Sequence, residues 1–169
     1  RIRARALRQH GDALLHYQSG LPLGFPLLQR ALAGYLRDSR GVDCAWDQVA
    51  VTSGSQQALY LIGQLLLRPG SVAYVEDPGY NGAKAAFSAT GARLAPVPVD
   101  AQGLAPPAAL EPGSLLYTTP SRQFPTGASL PVARRLALIQ AATQANAWIV
   151  EDDYDSEFRY SSAPLPSLY

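Results

Sequence analysis

From residue 49 to residue 151 the chain alternates short continuous apolar runs with stretches whose apolar residues recur at helical spacing. The runs at 49–52, 72–75, 94–99, 115–118 and 148–151 predict strands, buried at 49–52 and 148–151. Ala58, Leu59, Ile62, Leu65 and Leu66 predict a helix stopped by Pro69-Gly70, and further helices are expected at about 80–90 and 130–144. Upstream, Leu28, Ala31, Leu32, Tyr35 and Leu36 predict a helix over 26–39, ended by Gly41. Residues 18–26 read as a loop and 100–113 as a linker rich in Ala, Pro and Gly. Strands alternating with helices imply an α/β protein with a mostly parallel sheet and helices on both faces.

Composition narrows the function classes. The 14 basic and 13 acidic residues leave a net charge of +1, which gives no broad cationic field for nucleic acid. One cysteine, Cys44, excludes an internal disulfide, and His10 and His16 offer little for a metal site. No apolar run approaches the roughly 20 residues of a membrane span, and no signal-peptide pattern opens the chain, so a cytoplasmic protein is expected. Arg1, Arg3, Arg5 and Arg8 suit the solvated face of a helix better than a basic linker beside nucleic acid. The absence of methionine and the open, proline-rich ending at 163–169 suggest an excerpt of a longer chain. The expected division is an N-terminal helical segment and loop over 1–47, then a partial large domain over 48–169.

In parallel sheets ligands bind beyond the carboxyl ends of the strands. Four strand-end segments are thereby drawn to one edge: Ser53-Gly54-Ser55-Gln56, Asp77-Pro78-Gly79-Tyr80, Pro120-Ser121-Arg122-Gln123 and Asp152-Asp153-Tyr154. The first opens a helix, where free N–H groups and the dipole favour a phosphate; a plain N-cap at Ser53 or Ser55 explains it about as well. Tyr80 could stack on a flat ligand or pack on its own loop. Glu151, Asp152 and Asp153 are consecutive acids, and their repulsion suggests that one faces a cation or a protonated heterocycle; capping or arginine pairing is the alternative. A phosphate cradle, a stacking ring and a carboxylate for a ring nitrogen together describe a pocket for pyridoxal phosphate, where the acid preserves the electron sink.

The stretches Val51-Thr52-Ser53-Gly54-Ser55-Gln56-Gln57-Ala58-Leu59, Val75-Glu76-Asp77-Pro78-Gly79-Tyr80, 119–127 (TPSRQFPTG) and 151–160 (EDDYDSEFRY) resemble the aminotransferase-like domain of MocR-type, GntR-family transcription regulators. The resemblance covers nearly the whole chain and implies part of a three-layer, fold-type-I aminotransferase-like large domain. It implies pyridoxal 5'-phosphate as cofactor. Gly54, Ser55 and Gln56 would hold its phosphate, Tyr80 would stack on its ring, Asp152 would pair with the ring nitrogen and Tyr154 would bond the phenolic oxygen. It further implies an amino-compound effector or substrate, a homodimer, and DNA contact only through an N-terminal winged-helix domain that this chain does not contain. No membrane partner is implied.

The chain departs from the family pattern in ending before the segment with the Schiff-base lysine, and in lacking the C-terminal small domain. Arg122 also stands where a histidine is commoner. Alone, the chain is therefore not expected to be catalytic. Its only lysine, Lys84, is expected on the solvated flank of its helix with Asn81 and Ser88, opposite Ala83, Ala86 and Phe87. Two other functions compete with a regulator's sensing domain. One is the large domain of a true aminotransferase acting on an α-amino acid. The other, a nucleotide-binding α/β domain, is disfavoured because no Gly-x-Gly-x-x-Gly follows the first parallel strand.

Overall fold

A computed structural model describes Arg5, Arg8, Gly11, residues 23–155, Phe158 and residues 166–169. Most of the arginine-rich start, His10, His16, Gly20, Pro22, and Ser156, Glu157, Arg159 and Tyr160 of the last motif lie outside the described residues. The chain divides into two compact units, 1–52 and 53–169.

In the first unit, helix α1 (Pro26–Arg40) begins with proline, whose missing N–H costs nothing there, and ends at Gly41 in the left-handed conformation, φ 69°. A short 3-10 turn (Trp46–Gln48) follows, and Arg30 lies over the Trp46 ring at 4.3 Å. Residues 49–52 are not the buried strand that their apolar run predicts. Their hydrogen bonds go elsewhere: Gln29 Nε2 donates to Val49 O at 2.7 Å and Val51 N to Leu23 O at 2.7 Å. With those groups engaged outside a ladder, Val51 stays exposed.

The second unit runs α2 (Ser55–Leu66), β1 (Val72–Asp77), α3 (Asn81–Ser88), β2 (Arg93–Asp100), β3 (Gly103–Leu104), β4 (Leu115–Thr118), α4 (Val132–Ala145) and β5 (Trp148–Glu151). The sheet order is β3-β2-β1-β4-β5. Among the described strands only β3 is antiparallel, pairing Val99 with Leu104 and Asp100 with Gly103. This two-residue strand sits inside the stretch read from sequence as a linker. Arg134 clamps the hairpin, donating to both Asp100 carboxylate oxygens (2.8 and 2.7 Å) and to the carbonyls of Gly103 and Leu104. This guanidinium holds the Asp100 carboxyl below its ordinary range.

Alternation along the strands builds two cores. Ala73, Val75, Leu115 and Tyr117 pack with Leu59, Ala83, Ala86 and Phe87 of α2 and α3. Val97, Leu104 and Leu116 pack on the opposite face with Leu138, Ala142 and Ala145 of α4. The result is three layers with a mostly parallel sheet between them, buried at β1 and β4; β5, last in the sheet, exposes Trp148 and is only partly buried, not the buried strand that its apolar run predicts. Among the described residues no helix is long and apolar enough to cross a membrane.

Candidate functional site

The carboxyl ends of β1, β4 and β5 open on the same edge, beside the start of α2. There a cavity of about 250 Å³ is lined by Ser55, Tyr80, Tyr117, Thr119, Phe124, Asp152 and Tyr154. Of the residues singled out from sequence, Ser55, Tyr80, Asp152 and Tyr154 come together in this lining, whereas Gly54 and Gln56, the neighbours of Ser55, are not part of it.

Gly54 caps α2 with φ 151°, a backbone conformation that side-chain-bearing residues rarely adopt. Among the described residues no side chain caps this helix and its first turn carries no acid, so the dipole at its start favours an anion. Ser53 is not the N-cap: its N–H and hydroxyl both donate to Gln57 Oε1, at 2.6 and 2.9 Å. Gln56 bridges to the next helix, its Nε2 donating to Gly82 O at 3.0 Å and its Oε1 accepting from Tyr80 OH at 3.4 Å. A Cβ on Gly82 would lie 2.4 Å from both Gln56 Oε1 and the Tyr80 ring, so a larger residue there would have to displace one of these side chains.

Phe124 meets Tyr80 edge to face at 5.9 Å and Tyr154 at 6.3 Å, so one ring joins the β1, β4 and β5 loops. Tyr154 is half exposed; burial of its phenol, then the nearby Asp155 carboxylate, raise its pKa. Arg122 and Asp155 form an ion pair at 3.0 Å between the last two loops. That pair accounts for Arg122 locally, and Arg122 does not line the cavity.

The acids at the end of β5 separate by role. Glu151 Oε2 accepts from Ser167 Oγ at 2.6 Å and from the N–H of Leu168 at 2.8 Å. Asp152 faces the cavity, and its Oδ2 accepts from the buried Tyr117 hydroxyl at 2.7 Å. Among the described residues nothing hydrogen-bonds Oδ1. Burial pushes the Tyr117 phenol far above its ordinary range, and the bond to Asp152 pushes it further. Lys84 lies outside the lining; it is about three-quarters buried and pairs with Asp77 Oδ1 at 2.8 Å, instead of standing solvated as its helical position suggests. Among the described residues no cluster could hold a metal ion.

Sequence reasoning missed Tyr117, Thr119 and Phe124. A tyrosine in an otherwise aliphatic buried strand is a signal in retrospect, because a buried phenol has to find a partner.

A three-layer α/β unit with this cavity at its strand ends is one of the architectures that enzymes and their binding relatives share. Residues 4–166 match the aminotransferase class I and II family, and the chain belongs to that family. It is 42% identical to the probable rhizopine catabolism regulatory protein MocR of Rhizobium meliloti, over 86% of this chain and 30% of that protein. It is also 42% identical to the HTH-type transcriptional regulator TauR of Rhodobacter capsulatus, over 85% of this chain and 30% of that protein. Among solved structures it is similar to LysN, the α-aminoadipate aminotransferase of Thermus thermophilus complexed with N-(5'-phosphopyridoxyl)-L-leucine. That likeness has a TM-score of 0.83 and 36% identity over 98% of this chain and 42% of that one. The chain carries part of the fold-type-I architecture and spans about a third of the length of the regulators it matches.

Proposed function

We propose that this chain is part of the cofactor- and effector-sensing, aminotransferase-like domain of a pyridoxal-phosphate-dependent transcription regulator of the MocR type. The observation that carries the cofactor reading is Asp152. One of its oxygens accepts from Tyr117, the other has no hydrogen bond among the described residues, and Asp152 lines a cavity with an aromatic wall. That donor set suits a flat, protonated heterocycle, and the uncapped start of α2 suits the phosphate attached to it.

On this reading Ser55, with Gly54 and Gln56 beside it, would hold the phosphate. Tyr80 would stack on the heterocycle, Asp152 would pair with its ring nitrogen, and Tyr154 would bond the phenolic oxygen. Phe124 packs edge to face against both Tyr80 and Tyr154 and adds to the aromatic wall. When bound, the cofactor supplies an electron sink for an amino compound. Identity favours the regulators, at 42%, over the transaminase LysN, at 36%. A homodimer that reaches DNA through a domain outside this chain, and a cytoplasmic location, belong to the same proposal.

The second reading, the large domain of a true aminotransferase, rests on the structural likeness to LysN. One experiment separates them. The full-length protein is loaded with pyridoxal phosphate and given a panel of amino compounds. Its affinity for DNA upstream of its own gene and its release of 2-oxo acid are both measured. A regulator changes DNA affinity with one of the compounds and turns over little; rapid turnover with no DNA binding overturns the proposal.

A further inference from the structure

Glu76, near the end of β1, is 1% exposed, yet it lines no part of the cavity. Both of its carboxylate oxygens are engaged by one short stretch of the neighbouring strand and loop. Oε1 accepts from Thr118 Oγ1 at 2.7 Å and from the N–H of Thr119 at 3.0 Å. Oε2 accepts from Thr119 Oγ1 at 2.6 Å and Gln123 Nε2 at 3.1 Å. All of these partners can donate, so the set fits two acceptor oxygens. No ion pair reaches Glu76 among the described residues. A buried carboxylate without a cation depends on its hydrogen bonds, and leaving any of them unmade is costly.

Gln123 extends the network. It is also 1% exposed, and its Nε2 shares its two hydrogens among Glu76, Pro78 O at 2.8 Å and Phe124 O at 2.6 Å. Its Oε1 accepts from the N–H and the hydroxyl of Thr126, at 3.0 and 2.7 Å. The Phe124 N–H in turn donates to Thr119 Oγ1 at 3.0 Å. Thr119 and Phe124 are cavity walls. The turn that carries Tyr80 folds back on the same residue: a Cβ on Gly79 would lie 2.3 Å from Glu76 O. Walls from two different loops therefore take their places from one side chain and its own backbone.

We propose that Glu76 is a positioning residue for this cavity. It touches no ligand; through Thr119 and Gln123 it fixes the loop that presents Thr119 and Phe124, opposite Tyr80. The ligand part of this inference rests on the cavity being the pyridoxal phosphate site; the loop-positioning part does not.

The test uses Glu76→Gln in the full-length protein. The amide places an NH2 group among donors, which breaks at least one bond without changing volume. Two quantities are read: amide hydrogen exchange, and the affinity and induced circular dichroism of added pyridoxal phosphate. The expected result is faster exchange confined to residues 118–127, with β2 and α4 unchanged. Cofactor affinity should fall about tenfold, as expected for losing a buried hydrogen bond to a charged group, with an altered dichroism band. Unchanged exchange and unchanged affinity overturn the proposal, as does a uniform rise in exchange with affinity intact, which marks a merely structural role. If Glu76→Gln does not fold, Glu76→Asp keeps the acceptors but withdraws them by one methylene. The same local effect is then expected, and wild-type exchange overturns it. If the wild-type protein binds no pyridoxal phosphate, the cofactor reading fails, while the exchange pattern still decides the role of Glu76.

Discussion

The Tyr117 hydroxyl donates to Asp152 Oδ2 at 2.7 Å and ties the middle of β4 to the residue just beyond β5. The two strands are in parallel register there, with Tyr117 opposite Val150 and the Asp152 N–H donating to Thr118 O at 2.9 Å. Burial and the Asp152 carboxylate both oppose ionisation of Tyr117, so its folded pKa lies above the unfolded value of about 10. The stability this contributes is fully present below about pH 10 and is lost as the pH rises further, because the unfolded chain then binds fewer protons than the folded one. Its slope is about 1.4 kcal/mol per pH unit. Tyr117→Phe should lose about 1–3 kcal/mol at neutral pH and flatten that alkaline slope. Urea unfolding at a series of pH values between neutral and strongly alkaline measures both; an unaltered slope in the variant would assign it to another group.

Asp152→Asn removes the charge that faces the cavity while keeping its shape. Retention of pyridoxal phosphate by the full-length protein should fall at least tenfold, and any half-transamination should disappear. Asp153 is absent from the cavity lining, so Asp153→Asn should leave cofactor affinity within about twofold. Equilibrium dialysis of the two variants side by side decides it, and the reverse ranking would refute the assignment of Asp152.

Tyr80 contributes its ring more than its hydroxyl, because the bond from that hydroxyl to Gln56 Oε1 is long, at 3.4 Å. Tyr80→Ala forfeits aromatic contact worth about 0.5–1.5 kcal/mol beyond burial, together with the edge-to-face packing of Phe124. Cofactor affinity should drop several-fold or more, while Tyr80→Phe stays close to wild type. Fluorescence titration of both variants tests this, and equal losses would transfer the role to the hydroxyl.

Lys84 is held by Asp77 at 2.8 Å and stands outside the cavity lining. Mixing this chain with pyridoxal phosphate, reducing with borohydride and weighing the product should therefore give no stoichiometric adduct. A one-to-one adduct that vanishes in Lys84→Ala would make Lys84 an anchoring amine.

Strands β1 and β4 were legible in the sequence because strands buried on both faces read as unbroken apolar runs, and β5 shows the same kind of run although it stands last in the sheet and exposes Trp148. Residues 49–52 carry the same signal without forming a strand, since an apolar run does not reveal which carbonyls its N–H groups will find. The β3 strand escaped notice because two residues are too few for a periodicity. Tyr80, Asp152 and Tyr154 could be placed by the rule that strand ends gather at one edge. Tyr117 and Glu76 could not, because inside a buried strand a polar side chain shows its purpose only through a partner 35 or 43 residues away.

The cavity's walls run in chain order from Ser55 to Tyr154, with Tyr80, Tyr117, Thr119 and Phe124 between them. Parallel strands meet only after long crossovers close, so such contacts form late in folding. During synthesis, the pocket lacks its acidic wall until β5 has emerged and docked beside β4. A small molecule that fits it has nothing to grip on a nascent or half-folded chain. Its stabilisation enters by mass action on completed molecules, favouring survivors of folding instead of guiding the process.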